Sequence, residues 1–198
     1  MASIKERGGF LREFLKHPLK TGAIAPSSTS LVRTMLHLAH LDEASHIAEL
    51  GTGTGVFTKM IGQHKRPQAS FIALEINPKF VKQTQEKCPE TEIRQDSAAN
   101  LARYLDRTGG EGFDAIISGL PWADFKDALQ DQLLDAIDRS LADGGRFVTF
   151  AYLQGLLFPA GRRFRRKLKA RFPRVSQSSI IWSNLPPAFV YIVEKGAK

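Results

Sequence analysis

From Ser45 to Gly55 the chain reads Ser-His-Ile-Ala-Glu-Leu-Gly-Thr-Gly-Thr-Gly, a short apolar run that breaks into glycine at every second position. Glycine tolerates positive φ and lets backbone approach a ligand without side-chain clash. A buried strand feeding such a loop therefore prescribes a tight turn at the strand's carboxyl end. The next segment, Val56 to Gln63, has helical spacing, and the alternation continues from there. Ser70 to Glu75 and Thr91 to Gln95 read as the second and third strands, with a helix opening between them at Pro78, since proline is favoured in a first turn. Phe113 to Ser118 reads as a fourth strand. A helix from about Phe125 to Leu141 is closed by Asp143-Gly144-Gly145, and Arg146 to Ala151 forms a fifth strand. Val175 to Val193 carries no charge, but Ser176, Gln177, Asn184 and the pair Pro186-Pro187 interrupt it. A spanning helix needs ~20 mostly apolar residues without such a break, so no transmembrane span is expected. Two strands joined by a proline-containing turn fit instead. Regular alternation requires a mostly parallel sheet with helices on both faces. The expected fold is α/β: a mostly parallel seven-stranded sheet ending in an antiparallel hairpin.

Charge separates the two halves of the chain. No acidic residue falls between Gly144 and Val193, whereas nine of the 28 basic residues do, most of them from Arg162 to Arg174. The other 19 basic residues face 20 acidic ones, so the whole surplus of +8 belongs to that stretch. Such asymmetry points to a polyanionic partner, nucleic acid or an anionic membrane surface, with a solvated helix face as the alternative. The single cysteine, Cys88, permits no intramolecular disulfide and suits a reducing compartment; it reads as a half-buried structural thiol at a helix end. Met1 to Phe10 lacks the apolar core of a signal peptide. No metal is expected.

Three acids follow successive strands. Glu49 precedes Gly51, Glu75 ends the second strand, and Asp96 follows the third. Gly-x-Gly-x-Gly with an acid two residues ahead resembles the first motif of class I methyltransferases more than a dinucleotide fingerprint. That resemblance implies S-adenosylmethionine, bound by Glu49, Gly51, Thr52, Gly53 and Gly55. Glu75 is placed to accept hydrogen bonds from both ribose hydroxyls and Asp96, beside Ser97, from the adenine amino group, with Ile76 packed on the ring. Each acid alone could equally be a surface acid or a helix cap.

After the fourth strand comes Ser118-Gly119-Leu120-Pro121-Trp122, where methyltransferases acting on adenine carry Asn/Asp-Pro-Pro-Tyr or Asn-Leu-Pro-Tyr. The first residue of that motif accepts a hydrogen bond from the planar amine. Gly119 has no side chain for this, and an aliphatic amine, whose lone pair is already localised, does not need it; positioning supplies most of its catalysis. Gly119 and Leu120 would line the cofactor, while Pro121, Trp122 and Tyr152 are the candidate catalytic residues. Trp122 either offers a π face to an ammonium group, worth ~1–2 kcal/mol when desolvated, or is a core aromatic. Tyr152 either orients or deprotonates the amine, or is a core tyrosine.

Five segments together carry a more specific resemblance: Phe10-Leu11-Arg12-Glu13-Phe14-Leu15, Gly22-Ala23-Ile24-Ala25-Pro26-Ser27-Ser28, the Glu49 loop, Ser118 to Trp122, and Trp182-Ser183-Asn184-Leu185-Pro186-Pro187-Ala188-Phe189-Val190. Over nearly its whole length the chain resembles the bacterial phospholipid N-methyltransferases, more distant kin of the rRNA adenine dimethylases. The resemblance implies a Rossmann-like class I methyltransferase fold and N-methylation of phosphatidylethanolamine toward phosphatidylcholine. Close relatives act on ornithine lipids, and the motifs do not separate the two. The resemblance also implies a single domain with an N-terminal segment, 1–40, packed on the methyltransferase domain, 41–198, and a lid near the cofactor containing Gly22, Ile24 and Ser28. Phe10, Leu11, Phe14 and Leu15 share one helical face, suited to lying in a headgroup plane or to packing on the domain. Arg162, Arg163, Arg165 and Arg166 lie in an amphipathic run around Phe164, Leu168 and Phe172 that suits anionic lipid. The expected partners are a phospholipid substrate and an anionic membrane surface, approached peripherally from the cytoplasmic side. Nucleic acid is not the expected partner, although an adenine N6-type RNA or DNA methyltransferase is the alternative function that a basic strip allows.

Overall fold

The computed structural model describes residues 28–196. Phe10, Leu11, Phe14, Leu15, Gly22 and Ile24 lie outside the described residues. The apolar runs become strands: β1 (His46–Leu50), β2 (Ser70–Glu75), β3 (Glu92–Gln95), β4 (Phe113–Ser118), β5 (Leu141–Tyr152), β6 (Arg174–Gln177) and β7 (Ala188–Glu194). They form one seven-stranded sheet in the order β3-β2-β1-β4-β5-β7-β6. The pairs among β1–β5 are parallel, and β7 runs antiparallel to both β5 and β6, giving the expected C-terminal hairpin. Strands buried on both faces read as continuous apolar runs, which is why β2 and β4 have the boundaries expected from sequence.

Helices cover both faces. On one side α1 (Thr29–Leu38) and α2 (Val56–His64) bury Leu31, Val32, Met35, Phe57 and Ile61 against Ile47, Ile117, Val148 and Val190. On the other, α4 (Asp127–Ser140) and α5 (Pro159–Arg171) bury Leu133, Ile137, Phe164 and Leu168 against Leu50, Ile116, Phe147 and Tyr191. Between β2 and β3, α3 (Pro78–Lys87) starts at Asn77, whose side chain accepts the Lys79 N–H, with Pro78 in the first turn. Cys88 caps its end and is buried, and burial pushes its thiol up. Among the described residues no helix is long and apolar enough to cross a membrane.

One expectation is corrected, and one element is added. Asp143-Gly144-Gly145 does not end α4 ahead of a separate strand; it is an excursion inside β5. Phe113 pairs with Leu141 and Ala115 with Arg146, so four residues of β5 face the single Asp114. Gly144 takes φ +77°, and a Cβ at Gly145 would lie 2.8 Å from the Phe113 carbonyl oxygen, so the bulge needs glycine twice. The chain from Ala98 to Thr108 is an eleven-residue 3-10 helix, capped by the Ser97 side chain and closed by Gly109 at φ +62°. The sequence reading assigned that segment no element.

Candidate active site

The carboxyl ends of β1, β2, β3 and β4 converge at the point where the order of the sheet reverses, the place where open α/β sheets receive ligands. The glycine loop leaves β1 there. Gly51, Gly53 and Gly55 all have positive φ, +82°, +50° and +82°. Two of them are also sterically committed: a Cβ at Gly51 would lie 2.8 Å from the Leu120 side chain, and one at Gly55 3.1 Å from Thr84. At Gly53 a Cβ would meet nothing within 4 Å, so this part of the loop faces open space. The loop is fixed from α3, where the Thr84 hydroxyl donates to the Gly53 carbonyl at 3.2 Å and Lys87 donates to the Thr54 carbonyl at 2.8 Å. Neither residue has a local sequence signal; spacing along α3 puts both on the side facing the loop.

The three acids have different surroundings. Glu75 is buried and accepts two backbone N–H bonds, from Gly53 at 3.0 Å and Asn77 at 2.8 Å. Burial raises its pKa against the pull of those amides. Asp96 accepts from the Ser97 N–H at 2.7 Å, the Asn100 side chain at 2.6 Å and the Tyr104 hydroxyl at 3.0 Å, so it also organises the start of the 3-10 helix. Ser97 uses its hydroxyl as that helix's cap. Glu49 is the exception. It is fully buried, and the Thr58 hydroxyl and backbone N–H lie near its carboxylate without completing a well-formed hydrogen bond to either oxygen. Burial, with the nearby Glu75 charge adding to it and Thr58 pulling the other way, pushes its pKa up to about 8. A fully buried carboxyl held by Thr58 alone is expensive unless something further pairs with it. Its place beneath an open glycine loop fits the ammonium group of S-adenosylmethionine.

On the acceptor side, Gly119 comes so close to the glycine loop that a Cβ there would sit 3.0 Å from the Gly51 carbonyl oxygen. Its N–H donates to the Leu50 carbonyl at 3.0 Å. The Ser118 hydroxyl accepts from both the Leu120 N–H and the Trp122 indole N–H, each at 3.2 Å, and so shapes the turn. Fully buried Gln130 donates to the Trp122 and Phe125 carbonyls from α4. These supports, Ser118 and Gln130, were not visible in the sequence.

Trp122 corrects an expectation. It is 3% exposed, stacked on Phe164 at 4.8 Å, with Phe125 and Phe147 edge-on at 6.1 and 6.0 Å. A ring enclosed by three aromatics presents no π face to an ammonium group; Trp122 is a core residue that anchors the turn. Pro121 stays on the half-exposed turn, its carbonyl accepting the Asp124 N–H. Asp124, in the same turn, has its carboxyl pKa raised by burial. Tyr152 ends β5 half-buried, its ring edge-on to Phe150, and burial raises its pKa. Ser28 caps α1, and its N–H donates to Asn184 at 2.9 Å, which joins it to the turn before β7. Ile76 and Leu120 pack partly buried against the core.

The basic helix α5 divides into two sides. Arg163 pairs with Asp127, Lys167 with Asp127 and Asp131, and Arg171 with Asp135, all on α4. Arg162, Arg165, Arg166 and Lys169 have no ion pair among the described residues. Of the four arginines expected to meet anionic lipid, Arg163 is therefore already engaged within the fold.

Residues 48–147 match a family model described as a methyltransferase domain. The chain is similar to the ornithine lipid N-methyltransferase of Singulisphaera acidiphila, 31% identical over 186 residues that make up 92% of each protein. It is also similar to a tRNA1(Val) (adenine(37)-N6)-methyltransferase of a Flavobacteriaceae bacterium, 28% identical over 65% of this chain and 58% of that protein. Among solved structures, the O-methyltransferase TomG of Streptomyces achromogenes in complex with SAM superposes with a TM-score of 0.67 at 18% identity, covering 99% of this chain and 92% of that one.

Proposed function

Because this chain belongs to the methyltransferase-domain family and takes S-adenosylmethionine as its cofactor, we propose that it N-methylates the amino headgroup of a membrane lipid. Ornithine lipid is the first acceptor to assay and phosphatidylethanolamine the second. The observation that carries this reading is the end-to-end similarity to an ornithine lipid N-methyltransferase. When bound, the cofactor supplies an electrophilic methyl group. The chain's own residues hold and orient. The glycine loop, with Thr52, seats the amino-acid end over Glu49; Glu75 takes the ribose hydroxyls and Asp96 the adenine amino group. Gly119 leaves the acceptor position without a side chain, and the crowding against Gly51 works against placing one there. A planar nucleobase amine would lose a hydrogen-bond acceptor at that point, whereas an alkyl amine requires only placement in line. Tyr152, half-buried at the end of β5, is the residue assigned here to orient the amine; burial, which raises its pKa, disfavours the phenolate a base would need. Arg162, Arg165, Arg166 and Lys169 attract anionic headgroups and bring the enzyme to the cytoplasmic face of the membrane.

Mass spectrometry of a mixed lipid extract after incubation with protein and cofactor tests this reading. Methylated ornithine lipid or phosphatidylethanolamine is expected. Unchanged lipids, together with methyl transfer into tRNA, would overturn it in favour of the base methyltransferase.

A further inference from the structure

Four large apolar side chains are exposed among the described residues: Leu157 (76%), Phe158 (60%), Trp182 (70%) and Leu185 (81%). They are not scattered. Leu157 and Phe158 close the 3-10 helix Leu153–Leu157 that leaves the end of β5, and Trp182 and Leu185 lie in the turn that enters β7. β5 and β7 are neighbours there, with Tyr152 paired to Ala188, and the Leu153 N–H donates to the Pro187 carbonyl at 2.8 Å, which ties the two segments together. Thr149 pairs with Ser118, the last residue of β4, so this corner projects beyond the same carboxyl edge that carries the glycine loop.

Both displays are fixed. Buried Asn184 donates to the Pro186 carbonyl at 2.7 Å and accepts the Ser28 N–H at 2.9 Å, while Ile181 and Ala188 bridge the base of the turn. A Cβ at Gly161 would lie 2.2 Å from the Gly155 carbonyl oxygen, so α5 packs backbone to backbone against the segment that ends in Leu157. Loose loops expose apolar residues at random; here a braced frame holds four of them outward. Exposed apolar clusters of this kind mark contact surfaces.

Charge identifies the partner. The exposed cations Arg162 and Arg166 lie on α5, four and eight residues after Phe158, and no acid occurs from Gly144 to Val193. An apolar tip with a cationic collar matches a bilayer containing anionic lipid, the apolar side chains passing below the headgroups and the cations meeting phosphates. The chain's own residues 1–27 carry five basic residues against two acidic ones, the same sign as the collar, and so does a second copy of the chain. Nucleic acid would satisfy the collar but not the two leucines.

Building on the lipid reading above, we propose that Leu157, Phe158, Trp182 and Leu185 form an apolar wedge that inserts into the anionic bilayer and seats the cofactor edge of the sheet against the headgroups.

Tryptophan fluorescence of the full chain tests this directly. There are two tryptophans, and Trp122 is enclosed, so a lipid-induced change reports on Trp182. On phosphatidylethanolamine/phosphatidylglycerol vesicles with brominated acyl chains, Trp182 emission is expected to shift to the blue and to be quenched, and W182F to abolish both effects. L157S/L185S is expected to weaken vesicle partitioning by about tenfold or more while leaving methylation of a micelle-dispersed amino lipid unchanged. The proposal is overturned if the chain binds vesicles with Trp182 emission unaltered, or fails to bind them. It is also overturned if the emission shift follows protein concentration without lipid, or is produced by RNA and not by vesicles. Its failure is distinct from that of the lipid reading. Quenched Trp182 without amino-lipid methylation keeps the wedge and removes the substrate; methylated lipid with Trp182 in water removes the wedge alone.

Discussion

At the β1–β3 end of the sheet's carboxyl edge, polar groups are held by backbone amides and by one another. Glu75 is fixed by Gly53 and Asn77, and Asp96 by Ser97, Asn100 and Tyr104. At the β5–β7 end the built feature is apolar: Trp122 is sealed inside an aromatic cluster, while Trp182 and Leu185 are held in solvent. One end arranges polar groups around the glycine loop and leaves Glu49 as its least satisfied group; the other spends its order on a turn and a surface. The difference teaches where substitutions act. At the polar end they change affinity. At the apolar end they change folding or docking before they change chemistry.

The largest effect is expected at Trp122. Replacing it with alanine removes a ring packed on Phe164, Phe125 and Phe147 and is expected to cost about 3–5 kcal/mol of stability, read by denaturant unfolding. Trp122→Phe keeps most of the packing and is expected to leave kcat within about tenfold. A folded W122F enzyme that lost a hundredfold or more would return Trp122 to the chemistry and break the comparison.

Glu75→Ala comes next. Losing charge-assisted bonds to ribose is expected to weaken cofactor binding by about 1–3 kcal/mol by calorimetry. Because Glu75 also fixes Gly53 and Asn77, the thermal midpoint should fall with it. Unchanged affinity in a folded variant would show the acid to be a loop brace alone.

What the sequence made legible followed from local physics. Buried parallel strands read as apolar runs, and Pro78 announced the start of α3. Contacts between distant segments were not legible. Trp122 follows a strand whether it faces a ligand or Phe164, and only the position of α5 decides. Arg163 and Lys167 looked like their neighbours because their partners, Asp127 and Asp131, lie on another helix. Asp143-Gly144-Gly145 carries the signature of a helix stop, yet the same glycines serve a bulge where β5 meets Phe113. At the site, the acids and glycines announced themselves by type and spacing, whereas Ser118, Thr84 and Gln130 are ordinary residues given roles by packing.

Glu49 sharpens the polar end through pH. Its pKa is raised on folding from an ordinary 4.5 to about 8, so the folded protein binds the proton more tightly than the unfolded chain does. That stabilisation is complete below about 4.5 and is lost as pH rises toward and through 8. Relative to Glu49→Gln, the ligand-free wild type is expected to lose up to about 1.4 kcal/mol per pH unit across this window. Parallel stability curves for the two proteins would mean that Glu49 is solvated or paired.

The smallest effects belong to the two sides of α5, and their contrast is the most diagnostic. Arg163 and Lys167 face α4, where their acids Asp127 and Asp131 are more than half exposed, so each pair contributes little in high dielectric. R163Q/K167Q is expected to lower stability by no more than about 1 kcal/mol and to leave vesicle binding as it was. Among the described residues Arg162 and Arg166 have no ion pair. R162Q/R166Q is therefore expected to leave stability alone and to weaken binding to anionic vesicles by about 1 kcal/mol per residue, a loss that shrinks as salt is raised. The two double variants carry the same change in net charge. Equal loss of vesicle binding in both would make attraction a matter of total charge and dissolve the distinction between the two sides. Loss confined to R162Q/R166Q would assign the attraction to the side of α5 that follows Phe158, whose arginines, unlike Arg163 and Lys167, have no ion pair with α4.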